Sequence, residues 1–116
     1  MRRGDIYLVD FEPARGSEAN KVRPAIIVTN DHANRRAEQL GRGILAVVPT
    51  TTNTKKIYPF HVLLPAERSG LDHDSKAQAE LLKAADVERI YNRVGSIDAE
   101  LLAQLDDAIR VHLDLR

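Results

Sequence analysis

The chain has 116 residues, enough for one domain with a real core and too few to divide into two. Its 17 basic and 17 acidic residues cancel, which excludes a protein that coats nucleic acid by bulk phosphate neutralisation but leaves room for a local basic groove. There is no cysteine, so disulfides and thiolate metal sites are excluded, and no leader-like or membrane-spanning apolar run appears, so a cytoplasmic protein without a membrane partner is expected.

A first strand is expected over residues 6–11 (IYLVDF), followed by a polar loop over 13–22. A second strand enters through Arg23-Pro24 and continues as Ala25-Ile26-Ile27-Val28, an unbroken apolar run that implies burial on both faces. Thr29-Asn30-Asp31 is a polar stop that caps a short helix over 32–40. Gly41-Arg42-Gly43 turns the chain into an apolar strand over 44–48, closed by Pro49. Polar residues 50–56 form a loop before a fourth strand over 59–64, ended by Pro65. Residues 75–85 read two ways: their composition favours a helix, whereas alternation sets Ala77, Ala79 and Leu81 on one face of an extended chain. A short strand over 90–95 precedes the last element. There Asp98 suits an N-cap, Ile97 and Leu102 suit a hydrophobic staple, and Leu102, Leu105, Ile109 and Leu113 make an amphipathic helical stripe.

Several catalytic signatures are missing. His32, His61, His73 and His112 form no ligand pair, and there is no P-loop, dinucleotide glycine pattern or nucleophile elbow. Any catalysis is therefore expected to run without a metal or organic cofactor. RNA cleavage by the 2′-hydroxyl suits such a site, because the protein has only to orient the strand, stabilise charge on the phosphate and move protons. Arg23 is the candidate for the second task, since a guanidinium presents a donor fork that matches phosphate. The same Arg-Pro pair also reads as an ion-paired strand start. Pro49-Thr50-Thr51-Thr52-Asn53 offers hydroxyls that can donate to a phosphate or a sugar, and equally reads as an ordinary turn. Aromatic residues make up only 4% of the chain, so extensive base-stacking platforms are not expected.

Taken together, a set of segments resembles the MazF/PemK/Kid family of toxin endoribonucleases over nearly the whole chain. They are Arg3-Gly4-Asp5-Ile6-Tyr7, Asp10, Pro13, Gly16-Ser17-Glu18, Arg23-Pro24, Asn30-Asp31, Pro49-Thr50-Thr51-Thr52, Tyr58-Pro59-Phe60, Lys76-Ala77-Gln78-Ala79-Glu80, Arg93-Val94-Gly95 and Leu113-Asp114-Leu115. The resemblance implies an α+β, mainly β fold, in which residues 75–85 are a strand despite their helical propensity. This would be a compact SH3-like barrel with a short helix after strand 2 and a C-terminal amphipathic helix, forming one domain over 1–116. It also implies a homodimeric type II toxin, an mRNA interferase, that cuts single-stranded RNA at short sequences without a metal or other cofactor. The products would be a 2′,3′-cyclic phosphate and a 5′-hydroxyl. The implied partner is a cognate antitoxin whose acidic flexible C-terminal tail blocks the RNA groove, with DNA engaged only through that antitoxin.

The family's pattern at the strand exit sets Thr51 as the functional hydroxyl beside Arg23, with Glu80 as a candidate general base. Arg15, Ser17, Glu18, Asn20, Lys21, Thr52, Asn53, Lys55 and Gln78 would contact RNA, and the 13–22 loop would gate the groove. One segment departs from the pattern. Leu81-Leu82-Lys83-Ala84 stands where the family has glutamine, an apolar residue, arginine or lysine, and a small hydroxyl, so contacts from positions 81 and 84 are in question. Two rival readings are a gyrase-binding poison of the same fold that acts through the C-terminal helix, and an SH3-like interaction module with lapsed catalysis.

Overall fold

The computed structural model describes residues 1–11 and 22–115. In chain order these form β1 (Asp5–Asp10), β2 (Val22–Ile27), α1 (Asp31–Leu40), β3 (Ile44–Thr51), β4 (His61–Leu64), α2 (Ala66–Ser69), β5 (Ser75–Gln78), β6 (Lys83–Asp86), β7 (Ile90–Ser96) and α3 (Ala99–Leu113). Short 3-10 turns over Ala79–Leu81 and Val87–Arg89 join the last strands. The sheet is antiparallel, in the order β4-β5-β3-β2-β1-β7, with β6 also paired to β3. The expected mixed, mainly β class is therefore found.

β3 organises the sheet. One edge pairs with β2; on the other, Ile44–Val47 pair with β6 and Thr50–Thr51 pair with β5. Burial on both faces follows from the sequence of β2. Ile26 joins Ile6, Val48, Val62 and Leu64 in one cluster, which Leu101, Leu105 and Ala108 of α3 cover. Ala25 and Ile27 join Val9, Leu45, Val47 and Ala85 in a second cluster on the opposite face, which Ala37 of α1 covers. The alternation behind this split is the two-residue period of a strand.

The caps fall where the sequence sets them. Asn30 accepts from the Ala33 N–H at 2.9 Å and Gly41 ends α1 in the left-handed region. Asp98 accepts from the Leu101 N–H at 2.9 Å and from Arg68. These donors, the Leu101 N–H foremost, hold its carboxyl below the usual aspartate range. Arg3 ties three elements: its Nε donates to the Val28 carbonyl and its guanidinium pairs with Asp106 of α3 at 2.6 Å, while its backbone N–H donates to Asp31. Among the described residues no helix is long and apolar enough to cross a membrane.

Three expectations need correction. Pro49 does not close β3, which runs on to Thr51; the proline falls in the gap between the β6-paired and β5-paired stretches, where a missing N–H is tolerated. Residues 75–85 are neither a helix nor one strand. The 3-10 turn breaks them into β5 and β6, so that both halves pair with the same edge of β3. The fourth strand starts at His61 rather than at 59, and the short α2 follows Pro65 unforeseen.

Candidate functional site

Register decides which side chains share a face. Ala25 stands opposite Pro49, and the same register carried two residues further sets Arg23 opposite Thr51. Thr51 is opposite Lys76 of β5, and across β4–β5 Leu63 and His61 are opposite Lys76 and Gln78. Cross-strand partners project to the same side, as do alternate residues along a strand. Arg23, Thr51, Lys76, Gln78 and His61 therefore line one face. It is the face that α1 closes over its apolar end, and beyond that cover it becomes polar.

Arg23 is half-buried. One terminal nitrogen donates to the Thr50 carbonyl at 3.0 Å and to Gln78 Oε1 at 3.1 Å. Arg3 and Arg89, the other half-buried arginines, each have a carboxylate partner, and among the described residues Arg23 has none. The expected alternative of an ion-paired strand start is thus not what the described residues display. A guanidinium anchored at one nitrogen, with donors left over and no counter-ion among the described residues, is arranged to receive an anion.

The neighbouring hydroxyls play separate parts. Thr50 is buried and its hydroxyl donates to the Pro24 carbonyl at 2.9 Å, locking β3 to β2. Thr51 is half-buried, and its Oγ1 accepts a 3.3 Å bond from the Asn53 N–H, which leaves the hydroxyl hydrogen available. On the far side of the face, Lys76 is buried and donates to the Lys56 carbonyl at 2.8 Å, pinning the 52–60 loop.

His61 is buried and committed at both ring nitrogens. Nδ1 accepts from the Tyr58 N–H at 3.1 Å, so Nε2 is the nitrogen that donates to Glu80 Oε2, 2.9 Å away. The other oxygen, Glu80 Oε1, is buried without a hydrogen-bond partner among the described residues. Among the described residues no group of three or more His, Cys, Asp or Glu side chains is placed to hold a metal ion.

The structure thus brings Arg23, Thr51 and Gln78 together, with Glu80 joined to the same face through His61. Thr52, Asn53 and Lys55 lie exposed in the adjoining loop, where Asn53 Oδ1 accepts from the Lys55 N–H at 3.3 Å. Arg15, Ser17, Glu18, Asn20 and Lys21 lie outside the described residues. Sequence reasoning passed over His61 and Lys83. The first was legible only once β4 and β5 were aligned. Lys83 stands opposite Val47, on the Arg23 side, with its ammonium 5.2 Å from the centre of the Phe11 ring. Ala84 stands opposite Ala46, one residue out of phase, so the hydroxyl it replaces would project from the other face. Leu81 sits exposed in the 3-10 turn.

Residues 2–113 match the family described as PemK-like, MazF-like toxin of type II toxin-antitoxin system. The chain is 55% identical over 115 residues to Endoribonuclease MazF9 of Mycobacterium tuberculosis, an alignment that takes in 99% of this chain and 98% of that protein. It is 31% identical over 115 residues to Endoribonuclease EndoA of Bacillus subtilis, spanning 99% of this chain and 96% of that one. Its fold is similar to that in a MazE–MazF crystal structure from Deinococcus radiodurans, with a TM-score of 0.76 at 22% identity over 100% of this chain and 98% of that chain. The chain belongs to the PemK-like, MazF-like toxin family of type II toxin–antitoxin systems.

Proposed function

We propose that the protein is an mRNA interferase: a sequence-specific endoribonuclease toxin that cuts single-stranded RNA by attack of the 2′-hydroxyl. The observation that carries this is Arg23, half-buried, without a carboxylate among the described residues, and on one face with Thr51 and Gln78. The names of the two relatives aligned over nearly their full length support a nuclease over a gyrase poison or a lapsed module.

In the reaction the O2′–P bond forms and the P–O5′ bond breaks, leaving a 2′,3′-cyclic phosphate and a 5′-hydroxyl. Arg23 stabilises charge on the non-bridging phosphate oxygens, and Gln78 and the Thr50 carbonyl hold its fork in place. Thr51 donates to the phosphate and fixes its orientation. Arginine is a poor proton acceptor, so the 2′-hydroxyl proton passes to another group. Glu80, joined to this face through His61, is the carboxylate assigned to accept that proton. Thr52, Asn53, Lys55 and Gln78, with Arg15, Ser17, Glu18, Asn20 and Lys21 of the 13–22 loop, contact the RNA, and that loop gates the groove.

The toxin acts as a single domain over 1–116 in the cytoplasm, as a homodimer, and without a cofactor. A cognate antitoxin blocks its groove with an acidic flexible tail and mediates any contact with DNA. Incubation of the protein with one RNA, presented first single-stranded and then annealed to its complement, tests the reading. Discrete cuts are expected only in the single strand, and Glu80→Gln is expected to slow them about 10²-fold or more. A protein that cuts neither form at high concentration would refute the nuclease reading, and an unchanged Glu80→Gln rate would remove Glu80 as the base.

A further inference from the structure

Two of the described aromatic rings, on the approach to β4, lie together. Tyr58 and Phe60 stack with centroids 5.4 Å apart and planes 9° from parallel. His61 meets both edge-on, at 5.6 Å from Tyr58 and 4.6 Å from Phe60. The turn that carries them is fixed from several sides. The Tyr58 N–H donates to His61 Nδ1, the His61 N–H donates to the Tyr58 carbonyl at 2.8 Å, and Glu80 holds the far side of the imidazole. Lys76, buried beneath, holds the stem of the same loop through Lys56. Yet Tyr58 itself is 46% exposed, with Phe60 against one side of its ring.

An exposed aromatic ring on a loop held this firmly has already given up the conformational freedom that a ligand would otherwise have to remove. Its position matters as much. His61 is the cross-strand partner of Gln78, and Gln78 holds Arg23. Through Thr51 and Lys76, Arg23 is aligned three strands away with Leu63 of β4, two residues from His61 at the end of the aromatic turn. Exposed Lys55 and Lys56, on the approach to the turn, supply positive charge for a phosphate backbone.

We propose that Tyr58 is a stacking platform for an unpaired base of the substrate RNA, placed beside the Arg23–Thr51–Gln78 cluster and contributing to the choice of cleavage site. The proposal rests on the ribonuclease reading for its ligand. Stacking tolerates any base, so the platform supplies affinity and a preference for unpaired flanking sequence rather than hydrogen-bonded readout. His61, Glu80 and Lys76 act as positioning residues that hold the ring where the strand passes.

The chain has no tryptophan, so Tyr58→Trp places a single reporter at the platform. In an Arg23→Ala background, which keeps RNA intact, its emission is expected to be quenched by a single-stranded oligonucleotide and spared by the same oligonucleotide annealed to its complement. In the cleaving enzyme, Tyr58→Leu is expected to raise KM roughly 10-fold, with a smaller effect on kcat, and Tyr58→Phe to restore most of the loss. Emission that ignores RNA overturns the platform, and so does emission that changes only with protein concentration, which would assign the ring to a second copy of the chain. If the unmodified protein cleaves no RNA, the ribonuclease reading falls by itself; quenching by single-stranded RNA would still uphold the platform, and its absence would overturn it.

Discussion

Arg23→Ala is expected to lower the rate of RNA cleavage by about 10²–10³-fold, the loss typical when one preorganised donor to a developing oxyanion is removed. The protein should still fold. Among the described residues the Arg23 side chain makes two hydrogen bonds, to the Thr50 carbonyl and to Gln78, and neither belongs to an ion pair or to the apolar core. Its removal thus leaves two acceptors at a partly wet surface rather than an unpaired buried charge. Arg23→Lys separates charge from geometry. An ammonium keeps the positive charge but cannot both satisfy Thr50 and Gln78 and present a fork to the phosphate, so most of the loss should remain. Single-turnover rates on one RNA, read with thermal melting of each variant, check both parts. A near-normal Arg23→Ala rate would remove Arg23 from the chemistry.

The second large effect is on stability. Gly95 of β7 passes so close to the end of α2 that a Cβ added there would lie 2.0 Å from the Ser69 carbonyl oxygen, and that atom is backbone. No side-chain rotation relieves such an overlap. Either β7 or the α2–Gly70 turn must move, and β7 is paired to β1 by Ile6↔Gly95 and Asp5↔Ser96. Gly95→Ala is therefore expected to cost roughly 2–4 kcal/mol, in the range of strained overpacking, and to lower Tm by about 10–20 °C. Chemical denaturation gives the measurement. A loss under about 0.5 kcal/mol would mean that α2 does not sit against β7 as described. The Arg93-Val94-Gly95 segment read as part of a family pattern in the sequence; the physical demand for glycine comes from this approach.

How far the sequence reached can be judged from particular elements. The apolar run Ala25 to Val28 announced a strand buried on both sides, and Asn30 and Asp98 announced their helices, because these signals are local. Pro49 misled because its effect depends on which strand lies opposite, and β3 changes neighbour at that point. Residues 75–85 misled for a related reason. Their helical propensity is overridden by pairing with β3, and the break at Ala79–Leu81 is set by the need to pass from one part of that edge to another.

The site divides along the same line. Arg23 and Thr51 are proposed from their pattern, and the register of β2 and β3 sets them opposite each other. His61 and Glu80 are 19 positions apart and meet only because β4 and β5 align, so nothing local to either residue marked the pair. Composition made base stacking look unpromising, but a count of aromatic residues does not register that Tyr58 and Phe60 are held face to face. Arg15, Ser17, Glu18, Asn20 and Lys21 lie outside the described residues, so no register ties them to this face.

The central claim is that this face cleaves RNA through the substrate's own 2′-hydroxyl, with Arg23 stabilising the phosphate. The most direct test is to map both ends of the fragments that the purified protein makes from a single-stranded RNA in excess EDTA. The account predicts discrete fragments bearing a 2′,3′-cyclic phosphate on one side of each cut and a 5′-hydroxyl on the other, with none formed by Arg23→Ala over the same time. Fragments with 5′-phosphate ends, or cleavage that stops when EDTA is added, would contradict it.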